Sequence, residues 1–145
     1  MPKQAGQRTL LAFDYGRKRI GVAVGQELTA TTRPLTTVNV NNQQIDWPHI
    51  ERLINEWQPD LIIVGLPLNM DDTEHEMTRA ARRFSNQIHG RFNRPVELVD
   101  ERLTSIEAEE IITEARRHGH MKKHKAKESV DQIAAELILK SWLQQ

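Results

Sequence analysis

Between Leu10 and Gly25 the chain reads LLAFDYGRKRIGVAVG, and this stretch leaves few choices for the fold. Leu10, Leu11, Ala12 and Phe13 form a continuous apolar run too short for a helix, and Gly16 lets the backbone reverse. Such a run reads as a buried central strand. Ile20, Val22 and Val24 alternate with smaller residues on the return, which predicts a second strand paired antiparallel with the first. Asp14 falls where the first strand ends. A carboxylate is costly to bury unless it is paired or bound to a metal, so two readings stand for Asp14: a turn cap through local hydrogen bonds, or a chemical role.

The rest of the chain bounds the answer. Its 145 residues suit one domain, 1–145, with a real core. A composition of 38% hydrophobic and 28% charged residues fits a soluble globular protein rather than a disordered or membrane chain, and no segment approaches the roughly 20 apolar residues of a membrane span. The polar opening MPKQAGQR lacks the apolar stretch of a signal peptide, so the expectation is a cytoplasmic protein. With no cysteine, disulfides, thiolate zinc sites and thiol nucleophiles are excluded. The formal net charge is zero, so contact with nucleic acid has to come from a local patch.

Thr29–Val40, rich in Thr and Val, predicts a third strand that Pro34 places at an edge or a bulge, followed by a polar loop over Asn39–Gln44. Asp46 caps the next helix, Pro48 suits its first turn, Ile50, Leu53, Ile54 and Trp57 share its apolar face, and Pro59 stops it. Leu61–Val64 is a strand covered on both faces, and the loop after it carries Asn69 and Asp71 where a strand's carboxyl end meets a ligand. Thr73 and Glu76 have capping-box spacing for a helix ending near Gly90, with Arg79, Arg82 and Arg83 on its solvated face. Val96–Val99 is a fifth strand, closed by Asp100 and Glu101. Helix signals resume at Thr104 and Ser105.

Between Arg116 and Lys127 the chain turns basic without an acidic interruption. Lys122, Lys123 and Lys125 form its centre, with His118, His120 and His124 among them. The stretch reads as a mobile segment that touches phosphates, with a soluble surface loop and a histidine metal site as the alternatives. Val130, Ile133, Ala134, Leu137 and Ile138 then form the stripe of a closing helix. The predicted order of elements gives an α/β fold, a mixed five-stranded sheet with helices on both faces. Trp47, Trp57 and Trp142 read as core or helix-anchoring residues.

Three carboxylates can reach one end of that sheet: Asp14 after the first strand, Glu101 after the last, and Asp131 in the first turn or two of the closing helix. Singly, each has an ordinary explanation; for Asp131 it is an acid near a helix amino terminus with Ser129 as cap. As a group they are harder to place. Two carboxylates about 5 Å apart at an effective dielectric near 20 repel by roughly 3 kcal/mol, so three together need a counter-ion or protonation. Hard oxygen ligands without cysteine favour Mg2+ or Mn2+ over zinc, and such ions serve phosphodiester hydrolysis.

In FDYGRKRIGVAVG (13–25), IVGLPLNMD (63–71), VDERLTS (99–105) and SVDQIAAELIL (129–139), the chain resembles the YqgF family, also called RuvX, a family of proposed Holliday junction resolvases and pre-16S ribosomal RNA nucleases. The resemblance covers nearly the whole chain and implies a ribonuclease H-like fold. It also implies that Asp14, Glu101 and Asp131 are the acidic set. The family's second motif continues with glycine after its acidic residue, where this chain has Asp72, and Ser105 replaces a second threonine. Neither change removes a carboxylate.

The leading expectation is a metal-dependent endonuclease that processes the 5′ end of pre-16S rRNA. Asp14, Glu101 and Asp131 would ligate the metals, and Arg102, Lys122, Lys123 and Lys125 would contact phosphates. Alternatives are a resolvase of four-way DNA junctions and a non-catalytic nucleic-acid-binding factor in ribosome biogenesis or transcription. A further alternative is the phosphate-binding hairpin of the actin and sugar-kinase superfamily, which 145 residues are too few to complete with a second lobe. Partners would be nucleic acid and ribosomal particles but no membrane, with the chain a monomer or a homodimer.

Overall fold

The computed structural model describes residues 4–67, 74–100 and 123–145, the side chains of 123–129 excepted. Strand β1 (Thr9–Tyr15) turns into β2 (Arg19–Gln26), antiparallel in a register that sets Leu11 opposite Val24 and Asp14 opposite Gly21. Gly16 is required in the turn, since a Cβ there would stand 2.5 Å from the Arg19 carbonyl oxygen. Strand β3 (Thr31–Asn41) pairs antiparallel with β2, and the register slips between Val22 and Ala23, so Leu35 is the extra residue of a bulge next to Pro34. A proline has no N–H to give the ladder, and the bulge accommodates it.

The sheet has six strands, in the order β4-β3-β2-β1-β5-β6, not five. The additional strand is β4 (Gln44–Ile45), which pairs with Val40 and Asn41 where sequence reading expects a polar loop. Asn42 and Gln43 both take left-handed backbone angles, φ 49° and 66°, the requirement of a two-residue hairpin turn. Strands β5 (Leu61–Leu66) and β6 (Val96–Asp100) run parallel to β1, with Phe13 level with Val64 and Val64 level with Leu98. The carboxyl ends of β1, β5 and β6 therefore lie along one edge.

Helix α1 (Trp47–Trp57) starts as expected: the Asp46 carboxylate accepts the His49 N–H, proline follows in the first turn, and Gln58 ends the helix in a left-handed conformation before Pro59. Helix α2 (Glu76–Phe92) departs from expectation at both ends. His75 is its cap, with Nδ1 accepting the Met77 N–H, and the reciprocal partner is Thr78. Thr73 lies outside the described residues. The helix also passes Gly90 and stops at Asn93, which takes the left-handed angle, φ 52°.

Helix α3 (Lys123–Leu143) begins well before Ser129. Lysine, alanine and glutamate are good helix formers, so the end of the basic run is helical although it carries no apolar stripe. The helix expected from Thr104 onward, the loop with Asn69 and Asp71, and the basic residues 116–122 lie outside the described residues.

Two cores result. Leu11, Phe13, Val22 and Val64 face Ile50, Leu53 and Ile54 of α1 and Phe84 and Ile88 of α2. Leu10, Ala12, Ala23, Leu61 and Ile63 face Ala135, Ile138 and Leu139 of α3. The division follows the alternation of side chains along a strand. Phe84 centres the first core, edge-on to Phe13 at 5.6 Å and stacked on Trp47 at 5.9 Å. Trp47, Trp57 and Trp142 are all partly buried against a core, as expected. Among the described residues no helix is long and apolar enough to cross a membrane.

Candidate active site

Leu10 and Ala12 point toward α3, so Asp14, two positions on, continues on that face at the carboxyl end of β1. Its neighbour Tyr15 faces the other way and packs on Phe84 at 5.1 Å. Opposite Asp14 stands Gly21, and its missing side chain is what lets α3 come down: a Cβ on Gly21 would lie 1.9 Å from the Asp131 carbonyl oxygen and 3.0 Å from the Asp131 Cα. The backbone of Asp131 thus rests on the residue paired with Asp14. Both acids are half-buried.

The packing face of α3 differs from the stripe read in the sequence. Ala134, Ala135, Ile138 and Leu139 are buried, while Val130, Ile133 and Leu137 are only half-buried. The helix is turned by about one residue, roughly 100°, relative to the expected face. Asp131 thereby falls in line with Ala135 and Ile138 at i, i+4 and i+7, on the side that meets the sheet. It lies in the third turn of the helix, too far in for the amino-terminal reading of its charge.

Three hydrogen bonds fasten α3 independently of Asp131. Gln132 Nε2 donates to Thr37 Oγ1 at 3.0 Å, Thr32 Oγ1 donates to Glu136 Oε2 at 2.7 Å, and Trp142 Nε1 donates to Glu97 Oε2 at 3.0 Å. At Asp131 itself, Arg19 Nε donates to Oδ2 at 2.7 Å. Arg19 opens β2 two positions before Gly21, hence on the same face. Sequence reading missed both Arg19 and Gly21. Their one signal was positional: both lie on the return strand, on Asp14's face and at its end of the hairpin.

Thr78, also missed, ties this edge together from the other side of the sheet. It is fully buried, its hydroxyl bonds the Pro67 carbonyl after β5, and it accepts the His75 N–H at 3.1 Å. On that side a groove of about 710 Å3 opens between β4 and α2, lined by Tyr15, Trp47 and Arg83 among others. The Arg17–Glu76 ion pair at 2.9 Å belongs to its wall, and both side chains are largely exposed. The sheet separates this groove from the face of Asp14 and Asp131.

Of the expected site residues, the structure brings Asp14 and Asp131 to Gly21, Asp14 as its strand partner and Asp131 through its backbone. Glu101, Arg102 and Lys122 lie outside the described residues. Lys123 and Lys125 belong to the first turn of α3 by their backbone. Among the described residues no three His, Asp or Glu side chains are grouped to hold a metal. Arg79, Arg82 and Arg83 are exposed, as expected for a solvated face, and Arg82 pairs with Glu74 at 2.8 Å.

Comparison with known proteins gives this arrangement a context. The family model for RuvX, described as a Holliday junction resolvase, matches residues 8–145. A protein of Saccharophagus degradans is 55% identical over 95% of this chain and 94% of its own length, and one of Aeromonas salmonicida is 51% identical over 95% and 96%; each is named "Putative pre-16S rRNA nuclease". Among solved structures, RuvC of T. thermophilus in complex with a Holliday junction substrate superposes with a TM-score of 0.53 over 90% of this chain and 91% of that one, at 15% identity. This likeness shows the fold, which is ribonuclease H-like. With half its residues shared over nearly the full length of these relatives and a family model spanning all but its first seven residues, the chain belongs to the RuvX family.

Proposed function

We propose that this chain is a metal-dependent endonuclease that processes the 5′ end of pre-16S rRNA, as the names of its half-identical relatives suggest. The observation that carries the reading is that Asp14 and Asp131 are both neighbours of Gly21, one as its strand partner and the other through its backbone, at the edge where three parallel strands end. Two half-buried acids beside the same glycine offer hard oxygen donors of the kind that suits Mg2+ or Mn2+. Glu101, which follows β6 directly in the chain, is the third ligand of the proposal. A divalent cation bound by these residues supplies charge for activating water and stabilising the leaving oxygen.

The chain's own residues do the rest. Gly21 lets the Asp131 backbone come down beside the strand partner of Asp14, and Arg19 pairs with the Asp131 carboxylate. Arg102, Lys122, Lys123 and Lys125 hold the phosphates of the substrate strand and make binding salt-dependent. One site is enough to trim an RNA end. A second reading, cleavage of four-way DNA junctions, is favoured by the family's description as a resolvase and would call for a two-fold dimer; a cytoplasmic location suits either.

The test is cleavage of a pre-16S rRNA fragment and, separately, of a four-way DNA junction, in Mg2+, in Mn2+ and in EDTA, with Asp131→Asn beside the parent. Metal-dependent cutting of the RNA that disappears in the variant supports the proposal. Cutting of the junction alone selects the resolvase. Equal binding of both substrates by parent and variant without cutting would leave a binding factor.

A further inference from the structure

We propose that Arg19 is a placeholder cation: in the metal-free protein its guanidinium balances the Asp131 carboxylate beside Asp14, and a divalent cation entering the site competes with it for that carboxylate. The inference rests on the reading of Asp14 and Asp131 as metal ligands.

Both acids are neighbours of the same glycine. Asp14 is locked in register with Gly21, and Asp131 lies against Gly21 closely enough that not even a methyl group fits between them. Arg19 brings positive charge to Asp131 through a 2.7 Å Nε–Oδ2 contact between groups that are 34% and 22% exposed. The pair is not required to dock the helix. Gln132, Glu136 and Trp142 each bond the sheet elsewhere along α3, and Ala135, Ile138 and Leu139 bury its apolar face.

A fixed positive charge on a ligand carboxylate opposes a second cation there. Removing it strengthens the binding of a divalent ion by roughly three- to tenfold, after screening by solvent and the loss of carboxylate orientation are allowed for. A residue that merely fastened α3 would have no such effect on the ion.

The test uses the full chain as parent, Arg19→Gln, Arg19→Lys and Asp131→Asn, with MnCl2 titrated by calorimetry and Tm recorded in EDTA and in excess Mn2+. The proposal expects Arg19→Gln to bind Mn2+ about three- to tenfold more tightly than the parent. Its Tm should be lower in EDTA and rise further on adding Mn2+, because tighter binding stabilises more. Unchanged or weaker Mn2+ binding by Arg19→Gln, with Tm lowered equally in both conditions, overturns the placeholder. If Arg19→Gln does not fold, Arg19→Lys decides: lysine keeps the charge but loses the planar fork, so affinity within about twofold of the parent supports the placeholder, and a loss of tenfold or more, the usual effect of disturbing a metal's outer shell, overturns it. If Asp131→Asn binds Mn2+ as the parent does, or the parent binds none, the metal reading fails and takes the proposal with it. If only Asp131→Asn loses Mn2+ while Arg19→Gln matches the parent, the placeholder alone falls.

Discussion

The two ends of the sheet handle charge in opposite ways. At the amino end of β1, Arg8 and Glu27 form a two-pronged ion pair at 3.0 and 3.1 Å, and the same carboxylate accepts the backbone N–H groups of Gly6 and Arg8. The Arg8 guanidinium also lies 5.3 Å from the Trp142 ring centre, and Asp60 accepts the Thr9 N–H at 2.8 Å. At the carboxyl end, Asp14 is the strand partner of Gly21, the Asp131 backbone rests on the same glycine, and Arg19 pairs with the Asp131 carboxylate. One end matches each described acid with donors already in the chain. The other brings two acids, Asp14 and Asp131, to the same glycine at the end where three parallel strands finish, a placement that suits an edge serving an added cation and a phosphate.

That contrast can be broken most severely at Gly21. Gly21→Ala puts a methyl group into the Asp131 backbone, and since α3 must lift, the expected loss is about 3 kcal/mol of stability or more in urea unfolding, together with loss of nuclease cleavage. Full stability in this variant would mean that α3 is not seated on Gly21.

Glu27→Gln sharpens the same comparison from the other end. It strips the charge from a carboxylate that accepts four N–H groups and leaves Arg8 without its ionic partner, so a loss of about 2 kcal/mol is expected, with cleavage within twofold of the parent. The Arg8 hydrogen bond holds the Glu27 carboxyl below its ordinary value of 4.5. A depressed carboxyl stabilises the fold fully above that ordinary value, and the contribution is lost as pH falls through the lower, folded value. Parent stability should therefore decline below about pH 4.5 more steeply than that of Glu27→Gln. Parallel acid unfolding curves would contradict this.

The smallest effect belongs to Arg17→Ala. Its ion pair with Glu76 joins side chains that are 63% and 73% exposed, and such pairs contribute about 0.5 kcal/mol or less. A larger change in unfolding free energy would show that the turn after β1 depends on this contact.

The sequence disclosed what depends on near neighbours. The hairpin of β1 and β2, the buried run of β5 and the Asp46 cap are set by local periodicity and local hydrogen bonds, and all three stand where expected. Strand β4 escaped because it is two residues long and its turn is Asn42-Gln43 rather than a pair containing glycine. The start of α3 escaped because lysines without an apolar stripe read as a mobile segment. Its rotation escaped because Val130 and Leu137 compete with Ala135 and Leu139 for the apolar face, and only the sheet decides between them.

The candidate site was half legible for the same reason. Asp14 and Asp131 are visible as acids at element positions, and Glu101 is argued from sequence alone. Arg19 and Gly21 act through contacts with Asp131, more than a hundred positions away along the chain. No local pattern records such a pairing.

The most direct test of the division between the two ends takes two readings from one variant, Asp14→Asn: unfolding free energy in EDTA, and cleavage of a pre-16S rRNA fragment in Mn2+. A functional end predicts stability within about 1 kcal/mol of the parent and cleavage reduced roughly a thousandfold, a loss near 4 kcal/mol in the transition state. Cleavage at the parent's rate would contradict it, and so would a stability loss of several kcal/mol, which would make Asp14 a structural residue like Glu27.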